Sequence, residues 1–202
     1  MTLPVQVISE SKMRYSKKEI FTIPNLLSVF RIILIPVYAV LYMKAQATKD
    51  YIISAVVFIV SALTDMADGI IARKFNMRSR IGIMLDPFAD KLTQGVVILC
   101  LTLRNLNIFP LLVIFIIKEG FMFVMACRLL HRGKMLDGAL FAGKICTTVL
   151  FVSMAVLVVF NNIPTAGVYS IVALCSAFMI FSLVSYARCF IRETEHIRGI
   201  EE

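Results

Sequence analysis

Four aspartates, Asp65, Asp68, Asp86 and Asp90, lie close together in an otherwise apolar part of the chain. Asp65 and Asp68 are spaced i, i+3, and Asp86 and Asp90 are spaced i, i+4, so on helices each pair shares one face. Carboxylate oxygens are the ligands that Mg²⁺ prefers, and Mn²⁺ and Ca²⁺ are alternatives. The quartet therefore predicts one or two bound divalent ions, and two ions would suit in-line displacement at phosphorus.

Small residues accompany the aspartates at helical spacing. Gly69 and Ala72 follow the first pair, and Gly82 lies one turn before Asp86. Small side chains beside a carboxylate face leave room for a bulky ligand against the helix backbone. Arg73 adds a positive charge suited to a phosphate group. The alternative of helix capping and ion pairs with neighbouring arginines leaves the register of the glycines unexplained.

The composition places these residues in a membrane protein. Of 202 residues, 59% are apolar and 17% charged, against about 45–50% and about 25% in soluble domains. The mean hydropathy of +0.87 agrees. These values exclude a soluble globular enzyme, a disordered chain and a nucleic-acid-binding module. The net charge of +8 is instead attributed to cytoplasmic loops and to contact with anionic lipids.

The elements that must position the aspartates are membrane helices. A helix needs roughly 20 residues to cross the bilayer, and apolar stretches of about this length predict an all-α fold with six transmembrane helices. The stretches are 25–43, 51–73, 82–103, 109–130, 144–160 and 165–190. Residues 1–202 are interpreted as one membrane domain that contains the catalytic motif at 65–90. Residues 1–22 form a cytoplasmic segment, with an amphipathic surface helix as one option.

The distribution of cations predicts the orientation. Fifteen Lys and Arg residues lie in the N-terminal segment, the second-to-third and fourth-to-fifth connections and the C-terminal tail, and only three lie in the opposite loops. Cytoplasmic loops of membrane proteins carry the excess of Lys and Arg. Both termini are therefore predicted to be cytoplasmic, and the aspartate cluster faces the same side. The connection near residue 78 is short, so the second and third helices are expected to pack as antiparallel neighbours.

The segment 65–90 resembles the signature of the CDP-alcohol phosphotransferase family, D-x-x-D-G-x-x-A-R-x8-G-x3-D-x3-D, at all eight fixed positions. The resemblance implies six transmembrane helices, usually in a homodimer, with the site open to the cytoplasm. It also implies roles for individual residues. The metal ligands would be Asp65, Asp68, Asp86 and Asp90, with Asp90 also the general base, and the CDP pocket would be lined by Asp65, Gly69, Ala72, Arg73 and Gly82.

The stretch 85–91, LDPFADK, is similar to the form found in phosphatidylglycerophosphate synthases and related cardiolipin synthases. This resemblance implies phospholipid biosynthesis in a bacterial inner membrane, with transfer of a phosphatidyl group from CDP-diacylglycerol to glycerol 3-phosphate and release of CMP. Cardiolipin synthesis, or another acceptor such as inositol phosphate or serine, stays open. Outside the family, a cation transporter is the alternative, although its acidic groups would be distributed across the membrane depth.

An acceptor that carries a phosphate needs cations beside the metal site. Arg128, Lys144 and Arg188 each lie at the predicted cytoplasmic end of a different helix and are the candidates. The competing interpretation is that they are ordinary membrane anchors.

Four further charged residues, Arg31, Lys91, Lys118 and Glu119, lie deeper in the spans. Lys118 and Glu119 are adjacent and point to different parts of the helix circumference, so a direct pair between them is not expected. Glu119 is expected to pair across helices instead, with Arg31 as one partner.

Overall fold

The computed structural model describes residues 5–7, 23–74, 80–131, 134–136, 141–160 and 162–201. Within these ranges, side chains are described for residues 26–64, 67, 88–128, 141–160 and 162–191.

Long helices account for nearly all of the described chain, and each of the apolar stretches coincides with one of them. They are α1 Ile23–Lys44, α2 Thr48–Lys74, α3 Arg80–Arg104, α4 Phe109–His131, α5 Phe141–Val159 and α6 Thr165–Glu201. A short 3-10 helix, Leu106–Ile108, joins α3 to α4. By length and composition, four segments of the described residues can cross a membrane: Leu26–Lys44, Leu106–Arg128, Phe141–Val159 and Thr165–Ile191. The chain is therefore an integral membrane protein.

The expected all-α fold is confirmed for the helices, and two three-residue strands lie outside them. Strand β1, Val5–Val7, pairs antiparallel with β2, Lys134–Leu136, with Val5 opposite Leu136. Two extended segments that meet outside the helices satisfy each other's backbone groups, and valine at positions 5 and 7 favours a strand. Residues 5–7 are consequently not part of an amphipathic surface helix, and the rest of that predicted segment, 8–22, lies outside the described residues.

Helix α1 is the packing partner of both motif-bearing helices. It packs along α2 and along α3, whereas α2 and α3 make few direct contacts over their described lengths. The expectation that α2 and α3 pack directly as neighbours is therefore wrong for this part of the chain, because α1 lies against both. The fully buried core residues include Phe58, Ile98, Leu111 and Met154, which come from α2, α3, α4 and α5.

Arg104 ties these three helices together at the end opposite the motif. Its Nη2 donates to the carbonyl oxygens of Met43 (2.8 Å), Tyr42 (3.2 Å) and Ala45, and its Nη1 donates to the Tyr51 hydroxyl (3.0 Å). These carbonyls lie at or just after the C-terminus of α1, where the last carbonyl oxygens of a helix lack the usual donors of a following turn. The Tyr42 carbonyl also accepts from the backbone N–H of Ala45. The end of α3 thus meets the end of α1 and the start of α2, so α1 and α3 run parallel and α2 runs antiparallel to both.

We predict that Arg104→Gln lowers the free energy of unfolding by about 1–3 kcal/mol, because several carbonyl acceptors at the end of α1 lose a charged donor. The measurement is thermal unfolding of the purified protein in detergent. Lys49→Gln is the matched control, since Lys49 is exposed at the same end of the bundle and should change the unfolding midpoint little. Equal midpoints for the two variants would contradict the prediction.

Candidate active site

The two halves of the aspartate motif lie on the ends of α2 and α3 that one short connection joins. Residues 65–73 belong to the last turns of α2, which ends at Lys74, and residues 82–90 belong to the first turns of α3, which begins at Arg80. The helical spacing that the motif requires is therefore confirmed for the backbone. The side chains of seven predicted ligands and pocket residues lie outside the described residues, so their roles stay predictions: Asp65, Asp68, Gly69, Ala72, Arg73, Gly82 and Asp86.

Asp90 is the motif aspartate whose side chain the structure describes. Its Oδ1 accepts a hydrogen bond from Nη1 of Arg31, which lies on α1. The Arg31 side chain is 2% exposed and the Asp90 side chain is 34% exposed. The pair therefore joins a buried cation to a carboxylate that stays accessible at the motif end of α3.

Glu119 of α4 accepts from two lysines, and the three residues are here called the Glu119 cluster. Its Oε1 lies 2.6 Å from Lys118 Nζ and 3.1 Å from Lys91 Nζ, which extends from α3. The expectation that Glu119 does not pair with Lys118 is wrong, because a long lysine side chain can curl around the helix. The expected pair across helices is confirmed, with Lys91 rather than Arg31 as the partner.

Residues of α5 and α6 lie near the Glu119 cluster. The thiol of Cys146, on α5, lies within electrostatic range of all three cluster residues. One turn earlier on α5, Gly143 is so close to Tyr186 of α6 that an added Cβ would lie 2.5 Å from the tyrosine hydroxyl. The contact between Gly143 and Tyr186 thus places the start of α5 and the later part of α6 at the same depth along the bundle.

The predicted acceptor-binding cations lie near this level. Lys144 follows Gly143, Arg188 is two positions after Tyr186, and Arg128 is near the end of α4. All three are exposed, and among the described residues none of them forms an ion pair with a carboxylate. The structure thus places the three cations at the motif end of the bundle, on three different helices, and records no contact among them.

A small cavity lies one turn below the motif, among α1, α2 and α3. It has a volume of about 10 Å³, room for one water molecule, so it does not hold a nucleotide. Two of its lining hydroxyls, Tyr38 Oη and Ser61 Oγ, are buried without a hydrogen-bond partner in the described chain. This cavity is therefore not the substrate site.

Sequence reasoning missed the pairing of Arg31 with Asp90, although a depth argument points to it. Arg31 is about eight residues into α1, and Asp90 is about ten residues into α3, which runs parallel to α1. With 1.5 Å of rise per residue, the two side chains lie at similar depth. The two depths can be compared only if α1 and α3 run parallel, and the tertiary contacts of Arg104 are what show this direction.

We predict that Glu119→Gln lowers the free energy of unfolding by about 3–5 kcal/mol, because it leaves the buried charge of Lys118 without its carboxylate. Lys118 is 5% exposed, so water does not replace the lost partner. Thermal unfolding in detergent measures the effect.

Lys91→Gln is the matched control for Glu119→Gln. The Lys91 side chain is 36% exposed, and its removal should cost less than about 1 kcal/mol. The double variant Lys118→Met, Glu119→Gln should recover most of the loss. A wild-type midpoint for Glu119→Gln would show that the cluster does not stabilise the bundle.

Comparisons with known proteins give two findings. The family model described as CDP-alcohol phosphatidyltransferase matches residues 21–186, which is most of the chain. Among curated relatives, a protein of Salmonella paratyphi A is 40% identical over 82 residues, and one of Escherichia coli K12 is 42% identical over 82 residues. Both are named CDP-diacylglycerol–glycerol-3-phosphate 3-phosphatidyltransferase.

The two relatives are similar to this chain over part of their length. Each match covers 41% of this chain and 44% of the relative.

Proposed function

Because this chain belongs to the CDP-alcohol phosphatidyltransferase family, we propose that it transfers a phosphatidyl group from CDP-diacylglycerol to glycerol 3-phosphate. The products are phosphatidylglycerophosphate and CMP. The observation that carries the proposal is the complete aspartate and glycine motif on the adjoining ends of α2 and α3, inside the region that the family model matches. The names of the curated relatives support this choice of acceptor.

The donor set fits a pair of hard divalent cations. Asp65, Asp68, Asp86 and Asp90 offer only carboxylate oxygens, on helix ends that one short connection joins. We propose that these four residues hold two Mg²⁺ ions, with Mn²⁺ as an alternative. When bound, such ions neutralise charge on a diphosphate and on a leaving phosphate.

The chain's own residues account for the remaining chemistry. Asp90 accepts the proton of the acceptor hydroxyl. The resulting alkoxide forms a bond to the phosphorus that carries diacylglycerol, and the bond from that phosphorus to the CMP oxygen breaks with its electron pair. Gly69, Ala72 and Gly82 leave room for CDP beside the helix backbone, and Arg73 pairs with a phosphate of the donor.

The acceptor phosphate is assigned to the cations at the motif end. Glycerol 3-phosphate carries a dianionic phosphate, which needs fixed positive charge near the metal site. Arg128, Lys144 and Arg188 are exposed there. The Glu119 cluster adds one net positive charge from two lysines and one carboxylate, which favours an anion on the same side.

The proposed membrane arrangement has six spans, with both termini and the active site in the cytoplasm. Helices α2 and α3 have 27 and 25 residues, enough to span the hydrocarbon core together with α1, α4, α5 and α6. Cations dominate at the motif end, as they do in cytoplasmic loops. A bacterial inner membrane, suggested by the bacterial relatives, and a homodimer complete the proposal.

We predict that the purified protein in mixed micelles releases CMP when given CDP-diacylglycerol, glycerol 3-phosphate and Mg²⁺, and that EDTA stops the release. Asp90→Asn should lower this rate by about 100-fold or more, because the general base is lost. Asp90→Asn also leaves the buried Arg31 without its carboxylate, so its unfolding midpoint should fall, and the rate is compared per folded molecule. Asp50→Asn is the matched control, since Asp50 caps α2 at the opposite end of the bundle and should leave CMP release intact.

An acceptor screen separates the alternatives. Glycerol 3-phosphate should support CMP release better than phosphatidylglycerol, serine or inositol phosphate at equal concentration. Faster release with phosphatidylglycerol would identify a cardiolipin synthase, and faster release with serine or inositol phosphate would replace the acceptor. A folded protein that releases no CMP with any acceptor would overturn the proposed function and favour a transporter.

We further predict that Lys144→Gln raises the KM for glycerol 3-phosphate by about tenfold or more, because a charge-assisted hydrogen bond to the phosphate is lost. The KM for CDP-diacylglycerol should change little. Lys49→Gln serves as the control, because Lys49 is an exposed lysine at the other end of the bundle. An unchanged KM for glycerol 3-phosphate would remove Lys144 from the acceptor site.

A further inference from the structure

The structure brings a side chain from outside the motif to the motif's last aspartate. We propose that Arg31 of α1 is a positioning residue that fixes the Asp90 carboxylate in the orientation needed to meet the acceptor hydroxyl. This inference rests on the proposed function. It adds a residue of α1 to a site whose motif residues all come from α2 and α3.

The burial of Arg31 makes the contact specific. Arg31 is 1% exposed and is among the largest fully buried side chains, so its charge must be balanced inside the bundle. The carboxylate of Asp90 supplies that charge from α3. A cation held this firmly by the surrounding helices gives the carboxylate a fixed partner, whereas an exposed arginine would move with it.

The exposure of Asp90 makes the contact useful for catalysis. A third of its side chain remains accessible, at the end of α3 that carries the rest of the motif. Reaction rates depend steeply on the orientation of the reacting groups, and a displacement of about 1 Å can lower a rate by about 100-fold.

Lys91, the residue next to Asp90, joins the same turn of α3 to another helix. Asp90 is bound to α1 through Arg31, and Lys91 is bound to α4 through Glu119. Two adjacent residues anchored to different helices oppose rotation of α3 about its axis. The direction in which Asp90 points is therefore set by contacts on both sides of the helix.

The test compares Arg31 variants in the CMP-release assay. Arg31→Gln should lower kcat by about 10- to 100-fold, with the KM for CDP-diacylglycerol within about threefold of the wild-type value. Arg31→Lys should be intermediate, because lysine keeps the charge but lacks the rigid fork of the guanidinium. The shift of the unfolding midpoint on addition of Mg²⁺ should persist in Arg31→Gln, since all four aspartates remain.

Arg104→Gln is the matched control for a purely structural effect. Arg104 also joins α1 to α3, but at the opposite end of the bundle. Its loss should lower the unfolding midpoint and leave kcat per folded molecule unchanged. A drop in kcat equal to that of Arg31→Gln would overturn the proposal, because both effects would then be structural.

A double-mutant cycle isolates the dependence on Asp90. In an Asp90→Asn background, Arg31→Gln should cause no further loss of kcat if Arg31 acts through Asp90. A further loss of tenfold or more would overturn the proposal. So would a wild-type kcat for Arg31→Gln, or for Arg31→Lys if the glutamine variant does not fold.

The same experiment distinguishes failure of this inference from failure of the proposed function. Wild-type protein that releases no CMP removes the proposed function and the role of Arg31 with it. Active wild-type protein with an equally active Arg31 variant removes only the role of Arg31.

Discussion

A charged side chain buried inside a membrane bundle needs a counter-charge from the protein, because the acyl chains of the lipid carry no charge. This constraint decides how the helices of this chain are held together. The largest fully buried polar side chain, Arg31, is balanced by Asp90, and the buried Lys118 is balanced by Glu119. Each of these charges costs several kcal/mol if left alone in a low-dielectric interior. The pairs that cross between helices, Arg31 with Asp90 and Lys91 with Glu119, hold α1, α3 and α4 together at the motif end.

Helix α3 is the element through which these contacts act. Near its start, adjacent residues bind α1 and α4, and at its end Arg104 binds the carbonyl oxygens that close α1. Arg104 thus secures the far end of α3, whereas the contacts of Asp90 and Lys91 set the rotation of its motif end. This matters for function because α3 carries the second half of the aspartate motif, whose side chains must converge with those of α2 to share ions.

Helix α1 contributes more to the candidate site than its sequence indicates. It contributes no residue to the motif, yet it packs against both motif helices and supplies the arginine that holds Asp90. The small cavity among α1, α2 and α3 is lined by residues of all three helices, which therefore approach one another closely one turn below the motif. Packed helices thus lie directly beneath the motif.

The sequence by itself determined the helix positions and the family. Apolar stretches of about 20 residues have few alternatives to a membrane helix, and the motif spacing depends only on the helical repeat, which is local. The expectations from the sequence that proved wrong concern mainly contacts between distant segments. The partners of Arg31 and Glu119, the position of α1 against both motif helices, and the pairing of residues 5–7 with 134–136 came only from the tertiary structure. The physical reason is that such contacts depend on helix rotation, direction and depth, which the packing of the whole bundle sets.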